Sequence, residues 1–262
     1  MKITLLGTGG SAGLPQIGGA DGRGDWGDTD PSEPRNRRSR PSIVIQTDDG
    51  RNILVDTSPD IRYQLTDCGI GKIDAVIFTH AHADHVAGLD EIRILNRILG
   101  APLPAYATAE VWDELKTRFA YAFRPWKGGF FGRPVMEINE IIPGHSFEVF
   151  GLSILPIDQD HGYSRSLGLR FGGVAYCTDV VRLDEAALAA LQGVETFIVD
   201  CFTPARDHPT HAGLPTVLSW AEILRPKRTI LTHMGPAMDY YTLLSTLPQG
   251  IAPGYDGMTM SA

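Results

Sequence analysis

Cysteine is scarce and scattered: the 262 residues hold only Cys68, Cys177 and Cys201. An odd, widely spaced set with no C-x-x-C pair excludes a disulfide framework, so buried thiols in a cytoplasmic protein are expected. Long apolar runs are also missing. None reaches the roughly 18 residues of a membrane span, and Met1-Lys2-Ile3-Thr4-Leu5-Leu6-Gly7 is too short to form the core of a secretory signal. A soluble chain with no membrane partner is the expectation. Positive charge is in deficit as well. Lys+Arg 23 against Asp+Glu 31 leaves a net charge of −8, which disfavours a broad groove for long nucleic acid.

What is present reads as an ordinary globular protein, with 43% hydrophobic and 21% charged residues. Glycine and proline cluster from Gly7 to Pro34 beside Asp21, Asp25, Asp28 and Asp30, which predicts a long loop that is functional or mobile. The basic run Arg35-Asn36-Arg37-Arg38-Ser39-Arg40 is expected chiefly as a solvated face pairing with those aspartates, with phosphate contact or loop anchoring as alternatives. Short β-branched runs predict strands at Ile3 to Leu6, Ser42 to Gln46, Asn52 to Val55, Ala75 to Phe78, Leu152 to Pro156, Val174 to Cys177, Phe197 to Val199 and Thr229 to Leu231. Helical spacing marks Val86 to Leu99, Val111 to Ala122, Leu183 to Leu191, Leu214 to Leu224 and Ala237 to Leu247. That order suits a layered α/β protein, and with no internal repeat or linker residues 1–262 are expected to form one domain.

The strongest chemical signal is Thr79-His80-Ala81-His82-Ala83-Asp84-His85, between the strand Ala75 to Phe78 and a helix beginning near Val86. It packs four metal-type ligands into six residues. In an extended turn His80 and His82 point the same way and can grip one cation, while Asp84 and His85, at the helix start, face a neighbouring position. Two metals are therefore expected, and a nitrogen-rich, mixed N/O donor set suits Zn²⁺ or Mn²⁺.

This block resembles the T-H-x-H-x-D-H motif of the metallo-β-lactamase superfamily. The resemblance implies a four-layer αββα sandwich with a dinuclear centre, a third histidine on the first metal, a bridging aspartate and a last histidine on the second. The chain offers one natural candidate for each: His161 in Gln159-Asp160-His161-Gly162, Asp179 after Val174-Ala175-Tyr176-Cys177, and His233 after Thr229-Ile230-Leu231-Thr232. Out of that context they would be a surface histidine, a helix N-cap and a core histidine. Asp56 matches an early aspartate that orients the ligand loop; Asp200 suits similar work or a strand-end turn, and His145 is read as a turn residue.

More narrowly, the chain is similar to the cyclic-phosphate phosphodiesterases of the carbon–phosphorus lyase pathway, relatives of the tRNA 3′-processing endonucleases. The cues are Gly7-Thr8-Gly9-Gly10, Arg37-Arg38, Asp200-Cys201, Pro209-Thr210-His211, Ile230-Leu231-Thr232-His233 and Tyr255-Asp256-Gly257-Met258. The resemblance implies that His211, rather than His208, is a catalytic histidine outside the metal ligands. One departure stands out: a structural zinc held by cysteines of the first long loop is implied, yet Pro15 to Arg40 contains no cysteine. That zinc is expected to be missing.

The expected function is a dinuclear metal-dependent hydrolase, a phosphodiesterase acting on a small cyclic phosphate or nucleotide-like diester through a metal-bridged hydroxide. His211 would assist the leaving group, and Asp84 counts as both catalytic and metal-binding. Small phosphate ligands, nucleoside monophosphates included, are the expected partners, and a homodimer is compatible with the sequence. The alternatives are a thioester or lactone hydrolase on the same metals and a non-catalytic nucleotide-binding protein. A dinucleotide-binding turn at Gly7 to Gly13 would need an immediate helix, which Pro15, Gly18 and Gly19 deny. A tRNA-processing enzyme would need a basic arm that the chain lacks.

Overall fold

The computed structural model describes residues 1–124, 135–205 and 208–261. Its architecture follows from strands that are apolar on both faces. Along β3 (Asn52–Val55), Ile53 and Val55 enter one apolar cluster and Leu54 another. Along β10 (Val174–Cys177), Val174 and Tyr176 join the cluster of Ile53 and Val55, whereas Ala175 and Cys177 turn to a third. Because side chains alternate with a period of two, such strands need cover on both sides. Two sheets packed face to face with helices outside meet that need, and this is the expected αββα sandwich.

The first sheet runs β14 (Thr259–Ser261), β1 (Lys2–Gly7), β2 (Ser42–Gln46), β3, β4 (Ala75–Ile77), β5 (Leu103–Ala107), β6 (Met136–Glu140). The second runs β13 (Ile251–Pro253), β12 (Arg228–Thr232), β11 (Thr196–Asp200), β10, β9 (Arg165–Phe171), β8 (Leu152–Asp160), β7 (Phe147–Val149). In each, four neighbouring strands are parallel: β3 to β6 and β10 to β13. Helices α1 (Ile61–Asp67), α2 (Ala83–Val86), α3 (Ile92–Leu99) and α4 (Ala109–Arg118) cover the first sheet; α5 (Glu185–Ala190), α6 (Leu214–Leu224) and α7 (Tyr240–Thr246) cover the second. Three of these helices begin at a side-chain cap: Thr108, Asp184 and Asp239 accept from the backbone N–H groups of Val111, Ala187 and Thr242.

Several expectations change. The single helical stretch from Val86 to Leu99 is instead α2, a 3₁₀ segment over Ala87–Glu91, and α3. At the break Gly88 N–H donates to the Thr57 carbonyl at 2.9 Å rather than along the helix, and a Cβ there would lie 2.1 Å from the carbonyl oxygen of Ser58, so the chain has no room for a side chain as it passes. The strand expected at Leu152 to Pro156 continues to Asp160 and carries the chain to His161. β5, β6, β7, β9, β13 and β14 were not expected. β6, Met-Glu-Ile-Asn-Glu, lies at a sheet edge and is mostly polar; β9 is interrupted by Gly168. Cys177 and Cys201 are buried as expected, but Cys68 is partly exposed.

The basic run is not a solvated face paired with the preceding aspartates. Arg35 pairs with Glu33 and lies 4.1 Å above the Tyr240 ring, Arg37 covers Trp26 at 5.0 Å, and Arg40 pairs with Asp60. Arg38 is buried and donates to the carbonyl of Met238 at 2.6 Å; burial pushes its pKa down to about 10. The aspartates cap local turns instead, Asp25 accepting from Gly27 N–H and Asp30 from Ser32 N–H. Loop anchoring is thus the role the structure gives the run. The tie runs through Asp239, which caps α7 and accepts from the Asn36 amide at 2.7 Å and from Asp30 N–H at 3.2 Å.

Burial alone would raise the Asp239 pKa, but the N–H of Thr242 and the Asn36 amide hold it at about 2. The group is ionised in the folded state at a lower pH than in the unfolded chain, so its contribution is complete above 3.8 and is lost as pH falls toward about 2. Asp239→Ala is expected to cost about 1–2 kcal/mol in thermal or denaturant unfolding at neutral pH, with faster hydrogen exchange over residues 28–37. The gap between parent and variant should narrow in acid; a constant gap down to pH 2 would contradict this account.

Candidate metal centre

The site lies where parallel strands end. β3 delivers Asp56, β4 leads into the turn of His80 and His82, β10 ends just before Asp179, β11 ends in Asp200 and β12 is followed by His233. The tip following β8 supplies His161. Asp56, Asp179 and His233 have φ of 63°, 52° and 53°, in the left-handed region that β-branched residues avoid but aspartate and histidine tolerate. Each sits one or two residues past a strand, where this conformation turns the chain sharply out of the sheet direction. Local strain of this kind persists only when surrounding contacts fix it.

Two groups of ligand atoms that share Asp179 result, with a third, of Asp200, His211 and His233, beside them. His80, His82, His161 and Asp179 converge in one; Asp84, His85, Asp179 and His233 converge in the other. Asp179 belongs to both: its Oδ2 is 3.0 Å from His85 Nε2, and its Oδ1 is 3.3 Å from His233 Nε2 and 3.5 Å from His161 Nε2. All seven residues singled out as metal ligands in the sequence are therefore gathered at one place. Asp179 is not a helix cap, and His145 is exposed and enters neither group.

Hydrogen bonds behind the rings fix which nitrogen faces inward. His85 Nδ1–H donates to Asp56 Oδ2 at 2.7 Å. Thr79 donates its hydroxyl to the same oxygen at 2.8 Å, so His80 Nδ1–H donates in turn to Thr79 Oγ1 at 3.0 Å. His161 Nδ1–H donates to the carbonyl of Thr210 at 2.7 Å. That last approach requires Gly162, where a Cβ would stand 2.3 Å from the Pro209 carbonyl oxygen. In each case Nε2 is left for a cation, the arrangement that orients metal-binding histidines.

Electrostatics divides the two groups. Burial pushes His80, His161 and His82 below the usual histidine range, so these rings stay neutral. Burial acts the same way on His85 and His233 but is outweighed by carboxylates, Asp179 foremost; His85 is driven well upward and His233 to about 9. Asp84 and Asp179 are correspondingly held ionised despite their burial. Among the buried polar atoms of the described residues that lack a hydrogen bond, four belong to these ligands and face the clusters: His80 Nε2, His85 Nε2, His233 Nε2 and Asp84 Oδ2. Unsatisfied buried groups are costly, and these four all face the two convergent clusters, so the residues fit a pair of divalent cations. Their nitrogen-rich, mixed N/O character fits Zn²⁺ or Mn²⁺ equally well.

Beyond the ligand groups lies a pair that the sequence suggested only in outline. His211 Nδ1–H donates to Asp200 Oδ2 at 2.7 Å, and that oxygen also accepts from Val180 N–H at 3.0 Å. The His211 ring stacks on His233 at 4.5 Å and meets His161 at 5.0 Å. His208 lies outside it, its Nδ1 accepting from the N–H groups of Thr210 and His211. Phe202, stacked on His211 at 5.1 Å, carries no marker in the sequence. A cleft of about 590 Å³ opens from His80 and His82 between Glu110, Glu114, Arg118, Asp158 and Arg165.

A family model described as a β-lactamase superfamily domain matches residues 51–234. A Porphyromonas gingivalis protein named octanoyltransferase is 31% identical over 265 residues, covering 98% of this chain but 51% of its own length. The chain thus spans about half of that relative. A solved diphosphatase from the PhnP family superposes with a TM-score of 0.87 at 35% identity, covering 99% of this chain and 97% of that one. Zn²⁺-bound PqqB from Methylobacterium extorquens superposes at 0.77 over 100% of both chains with 21% identity, a likeness of fold.

With zinc or manganese supplied, elemental analysis should find about two ions per chain. His82→Ala should lose one of them and His145→Ala neither; a single ion in the parent, or equal losses in both variants, would contradict the grouping. Protons on His85 and His233 must leave as a cation enters, so affinity should rise with pH toward about 9. Calorimetry in buffers of different ionisation enthalpy should register that proton release, and affinity independent of pH would count against it.

Proposed function

The chain belongs to the β-lactamase superfamily of metal-dependent hydrolases, and we propose that it is a phosphodiesterase that holds two divalent cations and cleaves a small phosphodiester or related phosphate ester. The observation carrying this reading is the Asp200–His211 pair set against the two ligand groups. Acyl transfer from a thioester releases a thiolate that needs no proton, whereas an alkoxide leaving phosphorus does. A histidine held by a buried carboxylate at the edge of the metal site suits the second task.

When bound, a pair of divalent cations supplies an acidified water and neutralises charge on the phosphoryl oxygens. His80, His82 and His161 would hold one and Asp84, His85 and His233 the other, with Asp179 shared. Asp56 orients the rings of His80 and His85 through Thr79 and directly. Asp84, kept ionised by His85 and His233 at 3.5 Å each, can accept a hydrogen bond at Oδ2 from an incoming water. Asp200 fixes the His211 ring by accepting its Nδ1–H, which turns Nε2 toward the substrate, and in the imidazolium form the Nε2 proton is the one available there. That proton can stabilise the developing oxyanion or pass to the departing alkoxide.

The cleft beside His82 is of a size for a small ligand, and a nucleoside monophosphate with its phosphate at the cations is a fitting occupant. The similarity to a PhnP-family diphosphatase favours phosphorus over acyl carbon as the reacting centre.

His211→Ala should slow hydrolysis of an alkyl phosphodiester by about 10²–10⁴-fold, the reach of general-acid catalysis, and an activated aryl diester much less. Metal content should stay at the parent level. Equal losses for both diesters would assign His211 to charge stabilisation. Because Asp200, His211 and His233 also converge, loss of an ion would make His211 a ligand. Faster turnover of thioesters or lactones than of any phosphodiester would replace this reading with acyl hydrolysis.

A further inference from the structure

Among the histidines that face a metal position, two lack a hydrogen bond behind the ring: His233, which is fully buried and held by packing, and His82, the one that is exposed. His80, His85 and His161 each engage their second ring nitrogen with a partner behind them, Thr79, Asp56 and the Thr210 carbonyl. His82 is exposed, and its ring makes one hydrogen-bonding approach among the described residues, Nδ1 to His161 Nε2 at 3.2 Å within the ligand group itself. An exposed metal-binding imidazole without an outer partner must be positioned through its backbone. The carbonyl of His82 accepts from His85 N–H and Val86 N–H at 3.0 and 3.1 Å, which fixes the peptide that follows. The peptide that precedes it is gripped from elsewhere: Arg118 Nη1 donates to the carbonyl oxygen of Ala81.

Arg118 is well placed for this. It ends α4, a helix anchored by buried Val111, Trp112 and Leu115, and Trp112 Nε1–H donates to the Asn139 carbonyl at 3.2 Å. Its Nη2 donates to Glu114 Oε2 at 2.8 Å, one turn back on the same helix, which sets the plane of the guanidinium. The guanidinium is a rigid fork, so with one arm fixed the other has a defined direction. The link runs from the sheet through α4 and Arg118 to Ala81 and so to His82.

We infer that Arg118 is a positioning residue for the metal site: it fixes the Ala81–His82 peptide and so stands in for the hydrogen bond that the His82 ring lacks. This rests on the metal-site reading above. It assigns the hold on the first cation partly to a residue 36 positions downstream of His82 that touches neither ion.

The test is competition between the protein and a zinc-chelating dye, which resolves the two binding steps and needs no substrate. His82→Ala identifies the step that belongs to the first group. Arg118→Ala should weaken that same step by about 10–100-fold, the usual effect of losing an outer hydrogen bond, and leave the other step unchanged. Arg118→Lys, able to donate to Ala81 but without the rigid planar fork, should recover part of the loss. The melting temperature of the metal-free Arg118→Ala protein should match that of the metal-free parent. Parent-like affinity in Arg118→Ala overturns the proposal, as does equal weakening of both steps with a lowered metal-free melting temperature, the mark of general damage to the fold. A parent that takes up no zinc would overturn the metal-site reading itself, and the two failures are distinct.

Discussion

Asp179 is the constraint around which the rest is arranged. A carboxylate with almost no exposure to water is stable only if opposite charge lies close to it, and four imidazoles converge on this one, with Nε2 atoms of His85, His233, His161 and His80 at 3.0 to 3.9 Å. Two of the four, His85 and His233, draw protons under that field and two do not. Without cations the protein must therefore keep imidazolium at the second group, and with them the same field favours the metal. The first group, neutral throughout, is open to a cation at lower cost in displaced protons.

Asp56 and Asp200 solve the same problem from opposite sheets. Each is fully buried at or beyond the end of a strand in the parallel region, and each accepts a hydrogen bond from Nδ1–H of one histidine, His85 or His211. Each also accepts backbone N–H groups, Thr79 for Asp56 and Val180 for Asp200, which anchor the carboxylate independently of the ring. Such double anchoring lets a buried charge aim an imidazole without moving toward it. The left-handed backbone at Asp56, and at Asp179 beside Val180, is held by these same bonds, so folding and site geometry are specified together.

How much of this could be read in advance depended on distance along the chain. Thr79 to His85 is local, so its spacing alone separated His80 and His82 from Asp84 and His85, and the structure places them in two groups as that spacing suggested. The all-apolar strands at Asn52–Val55 and Val174–Cys177 likewise carried the layered fold in their own composition. His161, Asp179 and His233 were legible only through their order after that motif, since each alone is an ordinary strand-end residue. The grip of Arg118 on Ala81 had no signal at all, because an exposed arginine at a helix end is usually solvated. The basic run was misread for a related reason: its partners, Tyr240, Met238 and Asp60, lie far away in sequence, and pairing with neighbouring aspartates looked nearer to hand.

The loop from Pro15 to Arg40 is ordered by arginine–aromatic contacts and by Asp239, with no sulfur ligand anywhere in it. A loop stapled by thiolates would tie the folded state to the supply of zinc and to the redox condition of its surroundings. Here the loop carries neither dependence, and the two ligand groups are built of histidine and aspartate alone. Withdrawal of divalent cations is therefore expected to leave the first loop ordered, and returning them should refill the ligand groups without any refolding.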